Sequence, residues 1–121
     1  MAINTDSARD NSGQTSEAFD LHHLNKATFG SRELALEVLG LFERQAEKLL
    51  NDVAEASDPK TRSRAAHTLK GSALGVGALG VAAAAEEMER VAEDPIEVIG
   101  ALARLSARVA EARLALTDLI A

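Results

Sequence analysis

From residue 31 onward the apolar residues recur every three or four positions, the period of amphipathic helices rather than of strands. Ala35, Leu39, Phe42, Ala46, Leu49 and Val53 predict a long helix over about 31–56, with Ser31 as N-cap and Glu33 in the first turn. Asp58-Pro59 restarts the chain: proline is favoured at the first helical position, and the residue before it is pushed out of helical geometry into the capping role. A further helix therefore runs from Pro59 toward Gly75, where Gly75-Val76-Gly77 breaks it. Val81, Ala84, Ala85, Met88, Val91 and Ala92 give the next helix an apolar stripe opposite Glu86, Glu87 and Arg90. Asp94-Pro95-Ile96-Glu97 resembles a capping box, and Val98, Leu102, Leu105, Val109, Ala112, Leu116 and Leu119 follow as a heptad-like seam.

Before this region, a short helix is expected from Asp20 through Leu21, Leu24 and Ala27, ending near Gly30. Residues 1–16 hold almost no large apolar side chains, so they are expected to form a disordered N-terminal tail. Residues 17–121 are expected to be one domain. No strand-like run stands between turn signals, and four long helices with short connections pack most simply antiparallel. The predicted fold is all-α: an up-down-up-down four-helix bundle with a short extra N-terminal helix across one end. Phe19, Phe29, Phe42 and Met88 are assigned to core or staple positions.

Composition narrows the function. A chain of 121 residues that is 46% hydrophobic suffices for one core but not for two. The absence of cysteine excludes disulfides and thiolate metal sites and is compatible with a reducing cytoplasm. No apolar run approaches the roughly 20 residues that span a bilayer, and the N-terminus lacks the apolar segment of a secretory signal. A net charge of −6 with 2% aromatic residues argues against a nucleic-acid surface. The charge is uneven, however. Pro59 to Gly75 carries Lys60, Arg62, Arg64 and Lys70 with no acid, a formal +4 that leaves −10 on the rest.

That basic helix carries His67. At about 100° per residue, Lys60, Ser63, Arg64, Lys70, Gly71 and Leu74 fall within about 60° of it, whereas Ala65, Leu69, Ser72, Ala73 and Val76 form the opposite, core-facing side. Arg62 also points toward the core and must escape from the first turn. A histidine of ordinary pKa, about 6.5, is largely neutral at physiological pH and nucleophilic. Flanking cations suit it to accept a phosphoryl group, since they offset the charge of the phosphoimidazole. No carboxylate or hydroxyl neighbour completes a relay for acyl transfer. A glycine inside a helix costs about 1 kcal/mol relative to alanine, and Gly71, predicted to face solvent, suggests that a partner must come close.

The string His67-Thr68-Leu69-Lys70-Gly71-Ser72, followed by Gly77-Ala78, resembles the signature of histidine-containing phosphotransfer (HPt) domains of two-component phosphorelays. The resemblance extends from Asp20 to the C-terminus if the helix order and the Glu-Met-Glu segment of the fourth helix are included. It implies a bundle that shuttles phosphoryl groups between receiver-domain aspartates, or from a kinase to a receiver, with no ATP-dependent kinase activity of its own. By position it implies His67 as phospho-acceptor, Lys70 as electrostatic partner and Gly71 as clearance. Lys60, Ser63, Arg64, Leu74 and Gly75 are candidate docking residues. Leu74-Gly75 departs from the family pattern, in which a small residue is more often followed by Asn or another polar residue.

The partners implied are a response-regulator receiver domain, a hybrid histidine kinase, or both, in the cytoplasm. No intrinsic cofactor is expected, magnesium being expected on the receiver, and a monomer is expected because the bundle can close on itself. The alternative is a non-catalytic helical adaptor that binds a partner through the same basic face. His22-His23 is poorly spaced for a metal, and Glu86, Glu87, Glu89 and Glu93 lack the Glu-x-x-His pairs of a di-iron bundle.

Overall fold

The computed structural model describes residues 18–120, so the predicted tail, residues 1–16, lies outside the described residues. The described chain is all helical: α1 (Leu21–Ala27), α2 (Arg32–Glu55), α3 (Pro59–Val76), α4 (Leu79–Val91) and α5 (Glu97–Ile120). Each long helix packs on the next, α5 closes on α2, and α1 lies against α3. Polar cross-links run in opposite directions along neighbouring helices. Ala56 meets Arg62 and Gln45 meets Ser72 between α2 and α3, while Ala92 meets Arg62 and Glu89 meets His67 across the next pair.

The helix starts follow local chemistry. Asp20, Ser31 and Asp58 each accept a hydrogen bond from a backbone N–H three residues ahead, satisfying a donor that the first turn leaves unpaired. Asp94 caps differently from the expected box. Its Oδ1 accepts from the Ile96 and Glu97 N–H groups, but its own N–H donates to the Val91 carbonyl, so Glu97 has no reciprocal donor to take.

Apolar stripes from all four long helices meet in one core, with Leu69, Met88, Leu105 and Leu116 fully buried. Burying a side chain of that size stabilises by about 1.5–3 kcal/mol. Phe19 and Phe42 pack edge to face with ring centroids 6.1 Å apart, which fixes the chain entry against α2. On α3 the buried residues are Ala66, Leu69, Ala73 and Val76. Ala65 is only partly buried, and Ser72 turns sideways to donate to Gln45. The core face is thus rotated slightly from the predicted one.

Phe29 departs from its predicted core position: it is 89% exposed. The chain must reverse between α1 and α2, and Phe29 takes the left-handed position of the helix cap (φ 55°), with Gly30 N–H donating to Asn25 and Phe29 N–H to Lys26. That geometry sends the ring outward.

Arg62 escapes as expected, by bridging. Its guanidinium donates to the Ala56 carbonyl at the end of α2 (2.9 Å) and to the Ala92 carbonyl just past α4 (3.3 Å). Both are C-terminal carbonyls with partial negative charge.

Gly77 closes α3 in the left-handed region (φ 78°), and Ala78 N–H reaches back to the Ala73 carbonyl. The Gly77 carbonyl accepts from Asp20 N–H at 2.7 Å. A Cβ at Gly77 would lie 2.9 Å from the Asp20 carbonyl oxygen. Gly77→Ala therefore adds a positive-φ penalty to a backbone clash, and urea denaturation should show a loss of about 1–3 kcal/mol.

Candidate functional site

Three turns of α3 and one of α4 build the site. His67 sits mid-way along α3, on the side away from Leu69, and its side chain is 68% exposed. Its Nδ1 lies 2.8 Å from Oε2 of Glu89, which α4 presents from the neighbouring helix. An ionised carboxylate can only accept, so Nδ1 carries the proton, and in the neutral ring the lone pair is then on Nε2. Lys70, one turn further along α3, places Nζ 3.1 Å from Oε1 of the same carboxylate. That approach attracts strongly but is badly aligned for a hydrogen bond, and Oε1, shielded from solvent, makes none among the described residues. Partial burial works to raise the Glu89 carboxyl. The Lys70 ammonium and the His67 imidazole outweigh it and hold Glu89 below its ordinary value, as an anion.

Glu89 is the residue that the sequence did not single out. The expectation that no carboxylate attends His67 is overturned, because the partner comes from 22 residues away on another helix. A signal existed. Glu89 lies four residues after Ala85 and three before Ala92, both buried, so it falls inside the apolar face of α4 instead of among the exposed acids. A carboxylate in that position needs a cation or donor opposite it.

Lys60, Ser63, Arg64 and His67 line one open groove of about 550 Å³ together with Pro59, Ala92, Glu89 and Glu93. The predicted basic stripe therefore runs along a groove of mixed sign, since Glu89 on α4 and Glu93 just past its end contribute two carboxylates. Lys70 stands outside it, engaged with Glu89. Leu74 and Gly75 continue the stripe beyond Gly71 on the other side of His67, and both are exposed. A Cβ built at Gly71 or Gly75 meets nothing within 4 Å, so neither glycine is needed for packing inside the chain. The bare strip on α3 is open to an outside molecule.

His22 and His23 are exposed on α1. No group of three or more His, Cys, Asp or Glu side chains could hold a metal ion among the described residues. No described helix is long and apolar enough to cross a membrane.

The sequence profile of the Hpt domain family matches residues 37–121, which takes in every residue of the groove. No curated protein matches at a significant level. Among solved structures, an X-ray structure of a candidate histidine-containing phosphotransfer protein from rice superposes with a TM-score of 0.70 at 23% identity, covering 93% of this chain and 84% of that one. At that identity the likeness speaks for the fold.

The depressed Glu89 pKa has a consequence for stability. A group whose pKa is lower folded than unfolded stabilises the fold above its unfolded value and loses that contribution as pH falls through the folded one. The stability difference between the native chain and Glu89→Gln should accordingly shift against the native chain as pH falls below the ordinary carboxyl value of 4.5. Denaturant midpoints from pH 7 to 3 measure it.

Proposed function

Because this chain belongs to the Hpt domain family, whose members are phosphocarriers of phosphorelays rather than kinases, we propose that it carries the phosphoryl group on Nε2 of His67, exchanging it reversibly with an aspartate of a response-regulator receiver domain in the cytoplasm. The observation that carries this is the Glu89 contact on Nδ1, which leaves the nucleophilic lone pair on the nitrogen of an exposed ring.

In the transfer, Nε2 attacks the phosphorus of the receiver's phosphoaspartate. The P–N bond forms as the P–O bond to aspartate breaks, and the aspartate carboxylate leaves with the electron pair. The ring becomes cationic while Nδ1 keeps its proton, and the Glu89 carboxylate beside it stabilises that charge. Lys70 holds Glu89 in place and lies close enough to attract the phosphoryl oxygens. Magnesium in the receiver's acidic pocket supplies the remaining charge neutralisation. Lys60, Ser63 and Arg64 on one side of His67, and Gly71, Leu74 and Gly75 on the other, form the surface on which the receiver docks, and a hybrid histidine kinase is the other class of phosphoryl source.

Incubation with a phosphorylated receiver should transfer an acid-labile, base-stable phosphate to the native chain and none above background to His67→Ala. Phosphate on His67→Ala would place the acceptor on another residue, and partner binding that survives His67→Ala with no phosphate on the native chain would replace this reading with that of a helical adaptor. Gly71 offers a second test. Gly71→Ala should raise stability by up to about 1 kcal/mol, since nothing inside the chain meets the new methyl. Gly71→Leu should remain folded by circular dichroism yet slow transfer from the receiver by tenfold or more.

A further inference from the structure

The solvent side of α5 is unlike that of its neighbours. Along α2, exposed positions carry Glu33, Glu37, Arg44, Glu47 and Lys48, as expected of a helix face in water. Along α5, the outward line from Ile99 to Thr117 carries no charge, and Ile96 continues it from the turn just before the helix. Ile96, Ile99 and Leu114 are 80%, 71% and 72% exposed, and Ala103, Ser106, Ala107 and Ala110 between them are exposed too. Isolated exposed apolar residues are ordinary. A continuous uncharged line over about five turns of one helix, in a chain that is 26% charged, is not.

The charges of α5 are set to the sides of this line. Arg104 donates to both oxygens of Glu87 on α4, Arg108 pairs with Glu111, and Arg113 reaches Glu43 and Glu47 on α2. These pairs hold the long side chains away from the apolar line and leave it accessible.

The line also reads nearly the same in both directions about a centre between Ser106 and Ala107. Ile99 and Leu114 stand at equal distances from that centre, as do Ala103 and Ala110. Large residues thus occupy both ends and small ones the middle. This is the pattern a helix needs to pack against an antiparallel copy of itself, for a two-fold contact sets each residue against its counterpart from the opposite end. The small central residues let the two axes approach closely, and the bulky ends close the contact. Arg104 of one copy then lies about one turn or less from Glu111 of the other, so the flanking charges attract.

We propose that the outer face of α5 is a homodimer interface, formed by antiparallel packing of α5 on α5 of a second copy. From Ile96 to Thr117 the seam is about 32 Å long at 1.5 Å per residue. A helix pair of that length buries on the order of 1,000 Å² in total, the lower end of specific interfaces, which fits a weak, reversible dimer. Since α5 packs on α2 and α4, and α3 packs on the same two helices from the other side, the His67 face points away from the contact. Both copies remain open to a partner. The monomer expected from sequence rested on a bundle that buries its stripes, but α5 has a second stripe that the bundle does not cover.

Sedimentation equilibrium of the full chain from 1 µM to 1 mM should show mass rising from one chain to two. The double variant Ile99→Glu/Leu114→Glu places like charges opposite one another twice and should stay monomeric, at least 100-fold weaker in association. Ile99→Lys/Leu114→Lys should do the same. An equimolar mixture of the two should recover the dimer, and Ile99→Glu/Leu114→Lys should dimerise by itself, as an antiparallel register predicts and a parallel one does not. Both positions are exposed, so circular dichroism should be unchanged, and phosphorylation of His67 in each variant should match the native chain. A native chain that stays monomeric to 1 mM, like-charged variants that dimerise like it, or a mixture or Glu/Lys variant that fails to pair would each overturn the proposal. So would a native chain that remains monomeric and instead sediments with phosphatidylcholine/phosphatidylglycerol vesicles.

Discussion

The site depends on how closely α3 and α4 approach. Their packing is as extensive as any in the bundle, and both helices bury small residues, Ala66 and Ala73 on α3 and Ala82 and Ala85 on α4. Small residues allow helix axes to come near the lower end of the usual 8–10 Å separation. A 2.8 Å contact between an imidazole on one helix and a carboxylate on the other requires that proximity, because neither side chain is long. Leu69 and Met88, fully buried in the common core, each lie within two residues of the contact and hold the two helices in the shared core. The core is therefore what decides which nitrogen of His67 is protonated.

Charge reinforces the same seam. The +4 of the segment bearing His67 would repel itself if left alone, and it is met by carboxylates on α4 and just past its end. Glu89 takes Lys70 and His67 together, and Glu93 lies in the groove with Lys60 and Arg64. Glu89 is only 22% exposed, so the attraction is less screened there than between fully exposed partners. One carboxylate with two cationic or polar partners on adjacent turns works as a brace, and it leaves the outward edge of the imidazole unencumbered.

Much of this was legible in the sequence, and what was not has physical reasons. The helix starts at Asp20, Ser31 and Asp58 were readable because capping is local: a side chain reaches an amide three residues away. The stripe from Lys60 to Leu74 was readable because helical periodicity fixes angles on a single element. The Glu89 contact and the Arg62 bridge were not, since each needs the relative placement of two helices. Phe29 failed differently. Its apolar character argued for the core, but the left-handed cap at the α1–α2 reversal fixed its direction, and backbone geometry at a tight turn outweighs the preference of one ring. Gly71 shows the reverse: only the three-dimensional surroundings separate a glycine that makes room inside a fold from one that makes room outside it.

Arg62 ties together the carbonyl of Ala56 and that of Ala92, and so the ends of two helices that share no turn. Fraying of either end would strand a partly buried guanidinium, so the two ends are expected to open together or not at all. The groove beneath His67 lies at this same end, lined by Pro59 and Ala92. Its floor thereby moves as one cooperative unit, and an arriving partner meets a surface already set in shape and has no loop to order.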